Sequence, residues 1–544
     1  MWKPTPHARQ AFGLALAATL STAAVACTTE TAGEDGDTAP ITGPVDTPVP
    51  PADGPKLLAL AADVPVYDRP SFDGEVLGTL YLGARVARAE APHSTAGCAG
   101  GWYPIRPRGF VCAGEATASA DENHPLARVV GGGPDLDSAL PYRYARVWAE
   151  AAVTYGSLPS PETQAEAEPK LSSFKTPKDT VIGSGAGDVP LDDGWLPTGP
   201  PVVRPGAPGV GEDGYRTSRA WLADATTSVD VDAAFGAPAE TSVVKRNTRL
   251  ALVASTDDDR PLGLTASGRF VPLDRLEPVL GSTFHGVRLT GRDDLPVAFA
   301  LRAGVRGYAL GKGASATRTD DEYSAREAVR LTGRYRTVNR QRYWFTDDDH
   351  WVRHKDLIVI LKRTKFPDFA TGTQKWIDIS LANQTLVAWE GKTPRLATLI
   401  SSGQDRLGDP ETGPATRQGV FRILDKAITG SVDGREVGLK YALLDVPWIM
   451  RFDDGFAITG CTWHDRFGEA LSHHNVALAP VDAHFLWRWS EPALPDGWNR
   501  ASTASPADAS PADASPADAS PANASPANAS AGETRAGTIV YVHR

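Results

Sequence analysis

The segment from Thr459 to Leu478 concentrates residue types that carry out nucleophilic or metal chemistry. It contains one cysteine, Cys461, and three histidines, His464, His473 and His474. A cysteine thiolate beside an imidazole is a strong nucleophile, because a neighbouring cationic ring lowers the thiol pKa. The four side chains are also of the types that bind zinc, but their spacing matches no common zinc pattern. We therefore predict no metal site and no cofactor here.

Strands and a helix must position this segment. Two apolar runs, Val446–Phe452 and Gly455–Ile458, lead into it and predict two strands. A short helix is predicted after it, over residues 479–489. Cys461 lies two residues after Thr459, so the two side chains share one face if this part of the chain is a strand.

Further elements are predicted on both sides. Trp376–Ala382 alternates apolar and polar residues, turns at Asn383 and continues into Thr385–Trp389, a pattern typical of a β-hairpin. Gly537–His543 predicts a closing strand. It follows five tandem Ala-Ser-Pro-Ala-Asp/Asn units, which predict a disordered insert over residues 504–528 because small residues and regular prolines cannot form a core.

These landmarks resemble the L,D-transpeptidase family of the YkuD type over about residues 366–500. The family pattern is His-Gly, a spacer, and then Ser/Thr-His-Gly-Cys-Val. Thr416–Ile423 resembles the family's Thr-Pro-x-Gly-x-Phe-x-Ile strand, with Arg417 in place of proline, and Trp463–Gly468 matches a linker found in a subset of the family. The positions of this chain that align with the active-site pattern are Thr459, Ser472, His473, His474 and Asn475.

The resemblance implies acyl transfer in peptidoglycan. In the family, a cysteine thiolate assisted by a histidine attacks a peptide carbonyl of a tetrapeptide stem, and an amine of another stem resolves the thioester. Ser472 and His473 match their family counterparts. However, Thr459 replaces the first histidine, His474 the glycine, and Asn475 the nucleophilic cysteine. Asn475 neither ionises nor acts as a nucleophile, although its amide can hydrogen-bond a bound peptide. We therefore predict a catalytically degenerate protein that acts in peptidoglycan binding or remodelling.

Two alternatives from other functional classes stay open. In the first, Cys461 beside His464 or His473 is the displaced nucleophile of an active L,D-transpeptidase. In the second, the protein is a structural scaffold for protein contacts in the envelope. Reaction with a carbapenem, compared with the Cys461→Ala variant, separates the first alternative from the others.

Composition predicts a mainly β protein with several units. The chain has 544 residues, 52 glycines and 44 prolines, which indicates about two to four domains with many turns. Residues 56–118 resemble a bacterial SH3-like domain, through Val64–Pro70 and Val76–Leu80. We expect residues 366–544 to form an L,D-transpeptidase-like β-sandwich with a short helix, and residues 119–365 to combine linkers with β-rich units.

The middle region has three readable features. We predict a helix over Tyr142–Tyr155. Two segments, 268–276 and 350–357, share an aromatic-Val pair followed by a leucine five residues after the valine, which favours related small β units. His350 and His354 are four residues apart and could bind zinc together if the segment were helical. The neighbouring residues instead predict strands, which would hold the two side chains about 13 Å apart. No metal site is expected there.

The N-terminus predicts export. Residues 1–27 read as a signal peptide, and its end resembles a lipobox in which Cys27 becomes the lipidated first residue of the mature protein; plain cleavage after Ala26 is the alternative. Residues 28–55 predict a disordered tether. We therefore expect a bacterial cell-envelope lipoprotein that faces the periplasm.

Cysteine usage and charge indicate the compartment and the partners. In an oxidising envelope, Cys98 and Cys112 are expected to form a disulfide across a predicted hairpin, with two buried thiols as the alternative. The formal net charge of -11 argues against nucleic acid as a partner. The expected partners are peptidoglycan stem peptides and, through the lipid anchor, a membrane.

Overall fold

Short strands dominate the architecture, as the turn-rich sequence requires. The computed structural model describes residues 47–114, 117–130, 133–168, 241–256, 260–312, 315–432, 443–503 and 537–544. These residues are mainly β, which confirms the predicted fold class. The predicted signal peptide with Cys27, most of the predicted tether and the predicted insert over residues 504–528 lie outside the described residues. Within the described part, every helix is too short or too polar to cross a membrane.

The N-terminal strands surround a small apolar core that includes Val66 and Val111. The elements are β1 (Lys56–Ala59), β2 (Val64–Tyr67), β3 (Val76–Leu80), β4 (Arg85–Ala87), β5 (Trp102–Pro104), β6 (Phe110–Cys112), β7 (Ala118–Ser119) and helix α1 (Leu126–Val129). β1 pairs with β4 and β7, while β2–β3 and β5–β6 are antiparallel pairs. Cys98 and Cys112 form a disulfide with Cα atoms 5.9 Å apart, which ties the β5–β6 hairpin to the preceding loop.

The predicted helix over Tyr142–Tyr155 is wrong, because this stretch forms two strands. The elements of this part are β8 (Arg143–Val147), β9 (Ala151–Tyr155), α2 (Pro161–Ala167), β10 (Thr241–Lys245), β11 (Arg249–Ser255), β12 (Leu262–Thr265), β13 (Phe270–Pro272), β14 (Leu276–Val279) and β15 (Val287–Arg288). β8 pairs with β11 and β14, and β9 pairs with β10 and β13. These sheet partners, with Tyr144 and Tyr155 fully buried, outweigh the helix preference of the alanines.

A separate seven-stranded sheet follows. Its strands are β16 (Val297–Ala300), β17 (Val305–Leu310), β18 (Ala316–Tyr323), β19 (Ala328–Val338), β20 (Gln341–Thr346), β21 (Trp351–Arg353) and β22 (Leu357–Ile360), in the order β18-β17-β21-β20-β19-β16-β22. The two strands predicted around the acidic turn are confirmed as β20 and β21. His350 Nε2 contacts the Tyr323 hydroxyl, whereas His354 Nδ1 accepts from Trp344 Nε1, so the two histidines serve different parts of the sheet.

The two segments that share a sequence pattern also share local structure. In the first, a 3-10 turn, Leu273–Arg275, joins β13 to β14. In the second, a 3-10 turn, His354–Asp356, joins β21 to β22. In both segments the leucine of the pattern begins the second strand, which explains its fixed distance from the valine.

The C-terminal region packs two sheets around one helix. Its elements are β23 (Lys375–Ser380), β24 (Thr385–Glu390), β25 (Thr393–Leu399), β26 (Gly419–Arg422), β27 (Asp425–Val432), β28 (Leu443–Asp453), β29 (Phe456–Gly460), β30 (Val476–Leu478), α3 (Pro480–Trp489), β31 (Trp498–Ser502) and β32 (Ile539–His543). The predicted β23–β24 hairpin, the short helix and the closing strand are confirmed. The apolar core between the layers includes Ile377, Trp448, Ile458 and Leu486.

Strand pairs connect regions that the sequence analysis assigns to different domains. β3 pairs with β31, β11 meets β28, and β15 extends the sheet of β25. The buried side chain of Asp482, in α3, accepts from Gly286 N at 2.9 Å and from Thr398 Oγ1 at 2.5 Å. The C-terminal sheets therefore share edges with the regions before them.

Candidate functional site

Two short parallel strands carry the candidate site. β29 leads to Thr459 and Cys461, and β30 follows the aligned Ser472–Asn475 segment. Thr459 pairs with Ala477, and the ladder extends beyond β29 because Cys461 N donates to Leu478 O at 2.8 Å. Both strands are buried along their length, as expected for parallel strands covered on both faces.

Backbone hydrogen bonds hold the start of the 472–475 segment. Ser472 N donates to Ser402 O at 3.0 Å, and Gln404 N donates to Ser472 O at 2.9 Å. Farther along, Ala477 and Ser401 exchange a pair of backbone hydrogen bonds. The segment is therefore fixed against the loop that follows β25.

The backbone at His474 adopts a conformation that favours glycine. His474 has a φ of 56°, in the left-handed region that glycine adopts without a Cβ clash and that costs other residues about 1–2 kcal/mol. Its ring stacks on Phe456 with centroids 5.3 Å apart, and its carbonyl accepts from Thr416 Oγ1 at 2.6 Å. These contacts stabilise a conformation that is unfavourable for histidine itself.

Asn475, at the aligned nucleophile position, forms a structural hydrogen bond. Its Oδ1 accepts from Ala457 N at 2.9 Å, and its own backbone N donates to the carbonyl of His473. The side-chain oxygen thereby satisfies a buried N–H of β29, which would otherwise lack an acceptor. The residue is 8% exposed, and its exposed part borders a pocket.

Cys461 lies in the hydrophobic core. It is fully buried with Leu399, Phe467 and Ala479 in the same cluster, and its Sγ donates to His464 O at 3.5 Å. Burial raises the pKa of the Cys461 thiol to about 12. A thiol with this pKa contains almost no thiolate at neutral pH, so it lacks the property that a cysteine nucleophile requires.

The neighbouring histidines are held in environments that favour the neutral ring. Burial lowers the pKa of His464 to about 4; its Nδ1 accepts from Arg466 N at 3.2 Å, and its Nε2 is buried without a partner among the described residues. Burial and the adjacent His474 lower the pKa of His473. A neutral imidazole does not lower the pKa of a nearby thiol electrostatically, so these rings do not activate Cys461.

Thr459 is 1% exposed, and its Oγ1 is buried without a partner among the described residues. The hydroxyl group of a threonine at this position does not act as a general base. The aligned residues therefore separate into a closed side, where Thr459 and Cys461 are fully buried beside the partly buried His464, and an open side, where Asn475, 8% exposed, and Phe456, 5% exposed, line a pocket. Within the part of the chain that the structure describes, no group of three or more metal-binding side chains occurs.

The pocket on the open side has a volume of about 390 Å³. Charged and apolar groups line it together, among them Asp425, Arg451, Asp453, Phe456, Asn475 and Arg500. The sequence motif does not include the charged ones, which come from three different strands. In the sequence, Arg451 interrupts the apolar run of β28, and this interruption could have indicated a charged group in the pocket.

Ion pairs set the electrostatics of this pocket. Asp425 Oδ1 accepts from Arg451 at 2.7 Å and Oδ2 from Arg500 at 3.0 Å. Arg417, where the family has proline, pairs with Asp453 at 2.6 Å and lies 5.0 Å from the centroid of the Phe456 ring. The pocket therefore presents both signs of charge beside a peptide-like amide.

Parts of this chain are similar to solved L,D-transpeptidase structures. The catalytic domain of an Enterococcus faecium L,D-transpeptidase is 19% identical, with 32% of this chain and 98% of that chain covered and a TM-score of 0.21. L,D-transpeptidase 3 from Mycobacterium tuberculosis is 15% identical, with 40% and 79% covered and a TM-score of 0.21. A mutant Enterococcus faecium L,D-transpeptidase is 21% identical with a TM-score of 0.19; the match covers 23% of this chain and 48% of that one, about half its length. No protein-family model and no curated protein matches the chain.

Proposed function

We propose that this protein is an exported, membrane-anchored envelope protein of L,D-transpeptidase type that binds peptidoglycan stem peptides without covalent catalysis. Cys27 would carry the lipid, and residues 56–118 would form an SH3-like module beside the C-terminal unit. The motif resemblance around Thr459 and Asn475 supports the family. The chemistry of the aligned residues supports the loss of acyl transfer.

One observation carries the proposal: an amide, hydrogen-bonded to Ala457 N, stands where the resemblance requires a thiol. An amide forms no thioester, and it has no ionisable proton for a histidine to remove. Cys461, the free cysteine among the described residues, is too deeply buried to replace it. The aligned position therefore has no thiol for acyl transfer through a thioester.

Binding of a peptide requires no nucleophile. It requires charged and hydrogen-bonding groups, which line the pocket. The free carboxylate of a tetrapeptide stem would meet Arg500, whose side chain is 46% exposed, and its peptide groups would meet the Asn475 amide. Guanidinium groups bind carboxylates through two parallel hydrogen bonds. The pair of Arg500 with Asp425 keeps this guanidinium at the pocket wall before a ligand arrives.

The test combines covalent labelling with equilibrium binding. We expect no mass increase after incubation of the purified protein, or of its Cys461→Ala variant, with a carbapenem or with tetrapeptide stems. Calorimetry should detect stem binding, and Arg500→Gln should weaken it about tenfold through loss of a charge-assisted hydrogen bond. Arg488→Gln is the matched control, since Arg488 is similarly exposed at 48% and also ion-paired.

Two results would overturn the proposal. A covalent adduct that disappears in Cys461→Ala would show an active enzyme with a displaced nucleophile. Absence of binding to stem peptides and to intact peptidoglycan would instead favour a scaffold that contacts other envelope proteins.

A further inference from the structure

The β19–β20 hairpin is strongly basic in an acidic protein. Residues 328–346 contain five arginines and no aspartate or glutamate, although the formal net charge of the chain is -11. The strands reverse at Asn339 and Arg340, both with positive φ, as in a tight two-residue hairpin turn. Residues 332–337 of β19 are exposed on both faces, so the hairpin projects from its sheet.

Strand register places arginines and aromatic rings on one face of this sheet. Arg336 pairs with Tyr343, which pairs with Arg353. In the adjacent row, Phe345 pairs with Trp351. Because directly paired residues point to the same side of a sheet, these five side chains form one continuous surface, opposite the core that contains Trp344 and Val352.

The second row extends across two further strands. Trp351 pairs with Tyr308 in β17, and Tyr308 pairs with Arg318 in β18. The Phe345 and Trp351 rings are 4.8 Å apart, and the Tyr308 and Tyr343 rings are 5.3 Å apart. The rings therefore form a packed floor that supports the charged groups above it.

The guanidinium groups of Arg334 and Arg336 lie over different rings. The distance from guanidinium carbon to ring centroid is 4.5 Å for Arg334 and Phe345, and 5.9 Å for Arg336 and Trp351. Stacking on a ring holds a guanidinium flat and leaves its N–H groups directed outward along its edge.

Some arginines of this sheet are ion-paired, and others could bind an anionic ligand. Arg353 is paired with Asp356 at 2.8 Å. Among the described residues, Arg318, Arg334 and Arg336 have no carboxylate within salt-bridge distance. The acidic turn Asp347–Asp349 lies at the other end of β20 from the basic hairpin turn. Within β19 and β20, positive charge is therefore concentrated towards the hairpin turn.

We propose that this surface, defined by Arg334 and Arg336 over the Phe345 and Trp351 rings and by Arg318 on the strand beside Tyr308, binds a linear polymer linked by phosphodiesters. Guanidinium groups are weakly hydrated, and their planar donors match phosphate oxygens. Arg334 and Arg336 are two residues apart on one strand, about 7 Å along its axis. A row of fixed cations at such spacing fits a chain with a charge on every repeat better than a single small anion.

The experiment uses fluorescence anisotropy with the full-length protein and labelled poly(glycerol phosphate). We expect saturable binding that weakens at least tenfold when salt rises from about 50 to about 200 mM, because phosphate contacts release counterions. The Arg334→Gln/Arg336→Gln double variant should bind at least tenfold more weakly, and its salt slope should fall by about two. Both positions are exposed, so the fold should persist, which circular dichroism checks.

Arg108→Gln is the control, since Arg108 is exposed and belongs to the β5–β6 hairpin. An equal loss of binding in this variant would overturn the proposal, because it would show that net charge alone matters. Binding to phosphatidylglycerol vesicles but not to the polymer would also overturn it in favour of a membrane surface, as would equally tight binding of polyglutamate. The probe contains no peptide, so the result is independent of stem binding by the C-terminal pocket.

Discussion

The two ends of one face of β29 differ in what they can do. Ala457, at one end, borders the pocket and bonds the Asn475 amide. Cys461, beyond the other end, is buried among apolar side chains. Four residues of extended chain, about 13 Å, separate them. Residue types that look like one reactive cluster in the sequence therefore border a pocket at one end of the strand and lie in the apolar core at the other.

This difference shows that burial and residue type together decide the chemistry of these groups. The thiol is on the dry side, where burial suppresses its ionised form, and the open side has an amide. A cysteine nucleophile needs its thiol and access for the substrate at the same place, and here the thiol and the pocket are separated.

The largest expected effect is on thiol reactivity. In an Asn475→Cys variant, a maleimide should label position 475 at least a hundredfold faster than Cys461 at neutral pH, because residue 475 lines a pocket whereas Cys461 is fully buried and its pKa of about 12 leaves almost no thiolate. Peptide mapping by mass spectrometry identifies the labelled site. Comparable rates at the two positions would contradict the proposed difference between the two ends.

An intermediate effect is expected on the pH dependence of stability. Burial lowers the pKa of His464 to about 4 in the folded protein, below the unfolded value of about 6.5. The unfolded state therefore binds the proton more readily, and the contribution is fully present above about pH 6.5 and is lost as pH falls towards 4. Between pH 7 and 4.5, wild type should lose about 2–3 kcal/mol more stability than His464→Gln.

Urea unfolding followed by tryptophan fluorescence measures this difference. His484, whose pKa burial also lowers to about 4, is unchanged in both proteins, so its contribution cancels in the comparison. Parallel pH profiles for wild type and His464→Gln would show that the His464 ring is solvated and that the closed side is not dry.

The smallest effect is expected at the amide. Asn475→Ala should destabilise the protein by about 1 kcal/mol, because the buried Ala457 N–H loses its acceptor. Asn475→Asp keeps an acceptor oxygen at the same place, so this variant should lose less stability than Asn475→Ala. Thermal unfolding of the two variants provides the test, and an equal loss in both would mean that the Ala457 hydrogen bond does not stabilise the site.

Strong local patterns were predictable from sequence, and long-range pairings were not. The β23–β24 hairpin follows from strict alternation around a turn, and α3 follows from its proline start and apolar positions. The Tyr142–Tyr155 stretch was misassigned as a helix because β11 and β14, which pair with its first strand, lie about a hundred residues later. Local propensity contains no information about such partners.

The candidate site shows the same division. From the sequence alone, the motif resemblance predicts Asn475 at the nucleophile position and His474 at the glycine position of the family pattern. Only the tertiary structure decided that Cys461 is buried, that His474 adopts a left-handed backbone, and that Asp425 and Arg500 meet beside Asn475. Residue identity limits the reactions available to a side chain, but burial and charged neighbours, which come from distant strands, set its protonation state and its access to a ligand.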